Sequence, residues 1–174
     1  IDPFSVSAEE KIRLLMEADA AMRQVPGVTL AEGSLECPRT KKLFASTEGS
    51  LVEQSLVETG AGIEATAVRD GEVQKRSYPN SFGRHQGTAG YEFVLDMKLA
   101  ENAPRIAEEA VQLLSAEQCP SDWTTTLILD PTQLALQVHE SCGHPIELDR
   151  VMGMEASYAG TSFLTTDKLG IYRY

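Results

Sequence analysis

One short run in the last quarter of the sequence holds the residue types that hydrolytic metal chemistry needs: His139-Glu140-Ser141-Cys142-Gly143-His144-Pro145. Two of the chain's three histidines fall within six positions, with a glutamate beside the first. Neutral imidazoles are the usual ligands of Zn²⁺. A carboxylate next to a metal can take a proton from bound water. The familiar zinc-peptidase motif sets its histidines four apart, so that both face one way on a helix. Here they stand five apart, and on a regular α-helix the second is turned well off the first one's face. Both bind one metal only if the helix distorts, and a single π-helical turn would do it. Gly143 and Pro145 favour such a distortion, or a helix that ends at the second ligand. On spacing alone, two unconnected histidines at a frayed helix end are an equal reading. Cys142 can be read as a third ligand, but it cannot share a face with both imidazoles, and a small buried residue is the simpler account.

The motif needs a helix to carry it, and the preceding residues supply one. Asp130 suits the cap, Pro131 the first helical position, and Gln133 can close a capping box. Leu134 and Val138 give the helix an apolar stripe. Before it, Thr124 to Leu129 is apolar and β-branched and reads as a strand. After it, Glu147, Asp149 and Arg150 read equally as partners that orient a histidine and as a surface ion-pair cluster.

A boundary is expected near residue 118, where Cys119-Pro120-Ser121 interrupts the pattern. Residues 1–118 read as a helix–antiparallel meander–helix domain. Residues 119–174 read as the opening of a second domain, so the fold class is α+β. In the first part, Ser7-Ala8-Glu9-Glu10 is a capping box, and Ile12, Leu15, Ala18 and Met22 recur at helical spacing, giving a helix over 8–24. Short strand-like runs follow at 28–36, 41–46, 51–57, 63–69 and 72–78. Asp70-Gly71 between the last two predicts a type I′ hairpin with Arg69 opposite Glu72 and Val68 opposite Val73. Pro79 to Gly90, with His85, reads as a Gly-rich loop whose role is either a connection or a mobile binding element. Pro104 reads as near the start of a second helix, which Ile106, Ala110, Val111 and Leu114 carry to about Ala116.

The bulk properties exclude more than they assign. The 174-residue chain carries a net charge of −11, the wrong balance for gripping a phosphate backbone. Three scattered cysteines are not a disulfide framework and fit a reducing compartment, hence a cytoplasmic protein. No apolar run approaches the roughly 20 residues of a membrane span. The chain opens on Ile1 and closes on Ile171-Tyr172-Arg173-Tyr174, which reads as a segment of something longer.

The run from Leu134 to Arg150, and Glu155 to Leu164 after it, resembles the metal-site segment of the TldD/PmbA family of metallopeptidases, in its members that keep the HExxxH motif. The first part resembles that family's central domain more loosely, so that the likeness extends from about Ser7 to Tyr174. The resemblance implies that His139 and His144 are zinc ligands and that Glu140 is the catalytic base. It implies a third ligand, a cysteine, in a C-terminal region beyond this sequence. On this likeness the chain is the central domain plus the start of the catalytic domain. The family implies cleavage of small or unfolded peptides in the cytoplasm, by homodimers or by heterodimers with a paralogue that lacks the motif. Some relatives carry a label as modulators of DNA gyrase. The competing reading is a non-catalytic dimerisation or peptide-holding scaffold, or a regulator of that kind; the charge gives no support to direct nucleic-acid binding.

Overall fold

A computed structural model describes residues 1–171; the last three residues of the expected second domain lie outside the described residues. The chain divides into two compact units, Ile1–Ser121 and Asp122–Tyr174.

In the first unit two long helices, with a short one between them in the sequence, pack against an antiparallel sheet. Helix α1 spans Ala8–Arg23, and the Ser7 hydroxyl accepts from the Glu10 N–H at 3.1 Å, as the capping residues predict. Its strands are β1 (Val28–Glu36), β2 (Arg39–Ala45), β3 (Leu51–Val57), β4 (Thr59–Arg69), β5 (Glu72–Tyr78) and β6 (His85–Gly87). The order is β1-β4-β5, with β6 beside β4, while β2 and β3 pair only with each other. The antiparallel α+β class therefore holds, but the strands do not run as a plain meander: the β2–β3 hairpin is an excursion between β1 and the central strand β4.

Strand β4 is central because its residues are small. Burial along this strand does not alternate: residues 59–67 are buried throughout except the half-buried Glu64, and Ala61, Ile63, Ala65 and Ala67 share one face. They join Ala18 and Met22 of α1 and Leu99, Ala103, Ile106, Ala107 and Ala110 in one core. The last five lie on α3 (Leu99–Leu113), which follows a short α2 (Glu92–Asp96). Pro104 lies inside α3, not at its start. The helix begins at Lys98, whose backbone is left-handed (φ 51°) and whose carbonyl accepts from both the N–H and the side-chain amide of Asn102. The helix forgoes the one hydrogen bond Pro104 cannot donate, and the buried face of α3 offsets it.

The Asp70-Gly71 turn forms as expected. Arg69 pairs with Glu72 and Val68 with Val73, with φ values of 53° at Asp70 and 87° at Gly71. A Cβ at Gly71 would meet nothing within 4 Å, so substitution there strains only the backbone. Gly71→Ala should lower stability by about 1–2 kcal/mol, read as a drop in the urea midpoint with an unchanged m-value. An unshifted midpoint would rule out the left-handed turn.

The segment from Pro79 to Gly90 is not the free loop the composition suggests. His85–Gly87 is a strand on β4, the Thr59 hydroxyl donates to the Ala89 carbonyl at 2.9 Å, and the Asn80 amide donates to the Arg84 carbonyl at 3.0 Å. This backbone lies so close to β4 that a Cβ at Gly62 would fall 1.9 Å from the Gly83 oxygen.

The second unit is a chain of short helical turns. Helix α4 (Pro131–Val138) continues into a π-helical turn (His139–Gly143) and a 3₁₀ turn (His144–Ile146), followed by α5 (Leu148–Val151), α6 (Ala156–Ala159) and a 3₁₀ turn (Thr166–Lys168). The strand expected over Thr124–Leu129 does not form. Those residues pair with no other strand among the described residues, and Leu127 and Ile128 are exposed. β-Branched residues favour a pleated surface only where a neighbouring strand supplies it. No helix among the described residues is long and apolar enough to cross a membrane.

Candidate metal centre

Helix α4 starts where the capping residues place it. Asp130 has extended backbone, its carboxylate accepts from the Thr132 N–H at 2.9 Å, and Pro131 stands at the first helical position. The hydroxyl and then the backbone N–H of Thr132 hold the Asp130 carboxyl below its usual range. A lowered carboxylate pKa contributes stability above the unfolded value and loses it as pH falls through the folded one. The cap is therefore complete at neutral pH and weakens in acid.

The helix then changes pitch at the motif itself. The N–H of His144 donates to the carbonyl of His139, five residues back. On an α-helix, five steps would place the second side chain about 140° round from the first. Admitting one more residue into the turn instead brings the fifth residue back over the first. The imidazole centroids are consequently 4.4 Å apart, with ring planes at 81°. The single π-helical turn that would let both histidines serve one metal is present. It ends at once, because Pro145 opens a 3₁₀ turn and Glu147 is already extended (φ −60°, ψ 137°).

His139, Glu140 and His144 each offer one donor atom, and these atoms lie within 4.8 Å of one another. A tetrahedral zinc with ligands near 2.1 Å sets its donors about 3.4 Å apart, so modest side-chain rotation closes the cluster. All three side chains have room to rotate: the exposed fractions are 61% for His139, 63% for Glu140 and 37% for His144. Two imidazole nitrogens suit zinc, and a carboxylate beside them suits a base for metal-bound water. The Glu140 carboxylate lies 3.9 Å from His139 Nε2, too far for a hydrogen bond and therefore not committed to it. Cys142 is exposed and stands outside this group.

The three residues after the motif separate into different tasks. Glu147 Oε1 lies 3.1 Å from His144 Nδ1. Asp149 instead accepts the backbone N–H of Arg150 at 2.8 Å. The Arg150 guanidinium donates to the Ala159 carbonyl at 2.5 Å, tying α6 back to α5. The Ser162 hydroxyl donates to the Pro145 carbonyl and accepts from the Leu164 N–H, which fastens the 160s to the end of the motif. Sequence reasoning had not singled out Ser162; a serine in a polar stretch carries no signal of a contact 17 residues away. His85 lies in the first unit, on β6, with its ring 5.4 Å from that of Phe93.

Comparison with known proteins gives concordant results. A family model for the PmbA/TldA metallopeptidase central domain matches residues 1–116. A metalloprotease of Methanothermobacter thermautotrophicus is 28% identical, the alignment covering 99% of this chain and 39% of that protein. Metalloproteases of Archaeoglobus fulgidus and Methanocaldococcus jannaschii are 29% and 26% identical, over 87% and 98% of this chain and 33% and 34% of their own lengths. This chain thus spans between a third and two fifths of the curated relatives it matches. Among solved structures, a Thermotoga maritima protein described as a modulator of a DNA gyrase superposes with a TM-score of 0.54 at 22% identity, covering 68% of this chain and 26% of that one, a likeness of fold.

Proposed function

Since this chain belongs to the TldD/PmbA family of metallopeptidases, its central domain matched over residues 1–116, we propose that it carries two ligands and the base of a zinc peptidase centre. His139 and His144 hold the metal, and Glu140 is the catalytic base. The observation that carries this reading is the π-helical turn, which brings together two imidazoles that a regular helix would separate. A helix forgoes regular bonding where function requires it, and π turns concentrate at such sites. Three metalloprotease relatives support the reaction class.

Zinc held there would supply Lewis acidity toward a scissile carbonyl and toward water. Glu140 accepts the proton of the attacking water and hands it to the leaving amine. The third ligand is proposed to be a cysteine from the remainder of the full-length protein. Small or unfolded peptides are the proposed substrates, the cytoplasm the proposed site of action, and a homodimer or a heterodimer with a paralogue the proposed assembly. The description of the Thermotoga protein would favour a regulator, but a net charge of −11 opposes direct contact with DNA.

In the full-length protein, His139→Ala should abolish stoichiometric zinc, measured by metal analysis after dialysis. Binding should also weaken in acid, because protons compete for the imidazoles. Zinc content indifferent to His139 would favour the scaffold reading instead.

A further inference from the structure

A histidine ligand has two ring nitrogens, and the one that does not bind the metal decides which one can. His144 Nδ1 lies 3.1 Å from Glu147 Oε1. A carboxylate only accepts hydrogen bonds, so the ring nitrogen is the donor. A neutral imidazole protonated at Nδ1 carries its lone pair at Nε2. The backbone builds this contact. The Glu147 N–H donates to the His144 carbonyl at 3.1 Å, closing the 3₁₀ turn, and in such a turn side chains three apart eclipse one another. Glu147 also stands at the N-cap of α5, yet its side chain makes no capping bond there; the Val151 N–H goes to its backbone carbonyl. The carboxylate is therefore spent on the ring, not on the helix.

The two glutamates of the segment are differently placed. Glu140 belongs to the group of three donor atoms, whereas Glu147 is outside that group and bonds one of its members, His144, at Nδ1. Asp149 and Arg150 are engaged with backbone groups of their own segment.

We propose that Glu147 is the positioning residue of the metal centre: it accepts the Nδ1–H of His144 and so keeps Nε2 unprotonated for the metal. This rests on the reading of the centre given above. Carboxylates bonded in this way to ligand histidines raise the ring's basicity and fix its orientation, and their loss weakens metal binding about 10–100-fold.

The test uses the full-length protein with ¹⁵N-labelled histidine and the variants Glu147→Ala and Glu147→Gln. Without metal, nitrogen NMR should show His144 as the Nδ1–H tautomer in the wild type. Glu147→Ala should lose that preference, Glu147→Gln should keep most of it because the amide oxygen still accepts, and His139 should be unaffected in both. With zinc, chelator competition should show affinity falling about 10–100-fold in Glu147→Ala and much less in Glu147→Gln. A wild-type tautomer in Glu147→Ala overturns the inference. So does a zinc site that requires His139 but is indifferent to Glu147. Zinc binding indifferent to His139 and Glu147 alike overturns the metal-centre reading itself, whatever the tautomer.

Discussion

In the full-length protein, Glu140→Gln should retain zinc and lose peptide cleavage, with kcat falling about 10²–10⁴-fold. The substitution removes basicity and changes little else. Glutamine has the shape of glutamate, and an amide oxygen still accepts hydrogen bonds but does not carry away a proton. Little structural damage is expected, since the side chain is 63% exposed and its nearest ring nitrogen is 3.9 Å away. The loss should therefore appear in kcat with KM nearly constant, the pattern of a group that acts in the transition state. The contrast with Glu147 is sharp: Glu147→Ala weakens the metal site, whereas Glu140→Gln leaves it loaded and idle. Wild-type turnover by a zinc-loaded Glu140→Gln variant would exclude Glu140 as the base.

The distinction between these two glutamates shows how far the sequence could be read. The five-residue spacing of His139 and His144 pointed, if both serve one site, to a turn with one extra residue or to a helix ending at the second histidine, and the chain takes the first. The caps at Ser7 and Asp130, and the Asp70-Gly71 hairpin, were legible for the same reason: each depends on a few adjacent residues. What sequence alone did not resolve was a choice between partners. Glu147, Asp149 and Arg150 are interchangeable as a charged run, and only the 3₁₀ turn decides which of them meets the imidazole. Pro104 was misplaced because proline at a helix start and proline inside a helix look alike until the buried face of α3 is known. Thr124–Leu129 has strand composition without a ladder, since pairing is a property of two segments and composition of one.

The region 79–90 is where composition misled most, and it yields the largest structural prediction. Glycines there suggested freedom, but the glycines that matter are on the opposite side of the contact, in β4. A Cβ at Gly60 would meet the His85 oxygen at 2.7 Å and the Gln86 Cα at 2.9 Å. At Gly62 it would meet the Gly83 oxygen at 1.9 Å and the Arg84 Cα at 2.7 Å. These are backbone atoms, which cannot rotate aside as a side chain would. Gly62→Ala must therefore push the 83–84 backbone off the sheet, or bend β4 between its partners β1 and β5. Either way it disturbs the strand that carries Ala61, Ile63, Ala65 and Ala67 into the core. Overpacking of this kind costs about 3 kcal/mol, more than the purely conformational penalty expected at Gly71. The two substitutions add the same methyl group to the same strand system, one into backbone and one into open space. Urea unfolding of both variants should place the Gly62→Ala midpoint clearly below that of Gly71→Ala. Proteolysis should nick the variant first between residues 79 and 90, where the displaced segment loses its ladder. Equal midpoints for the two variants would mean that the segment does not rest on β4.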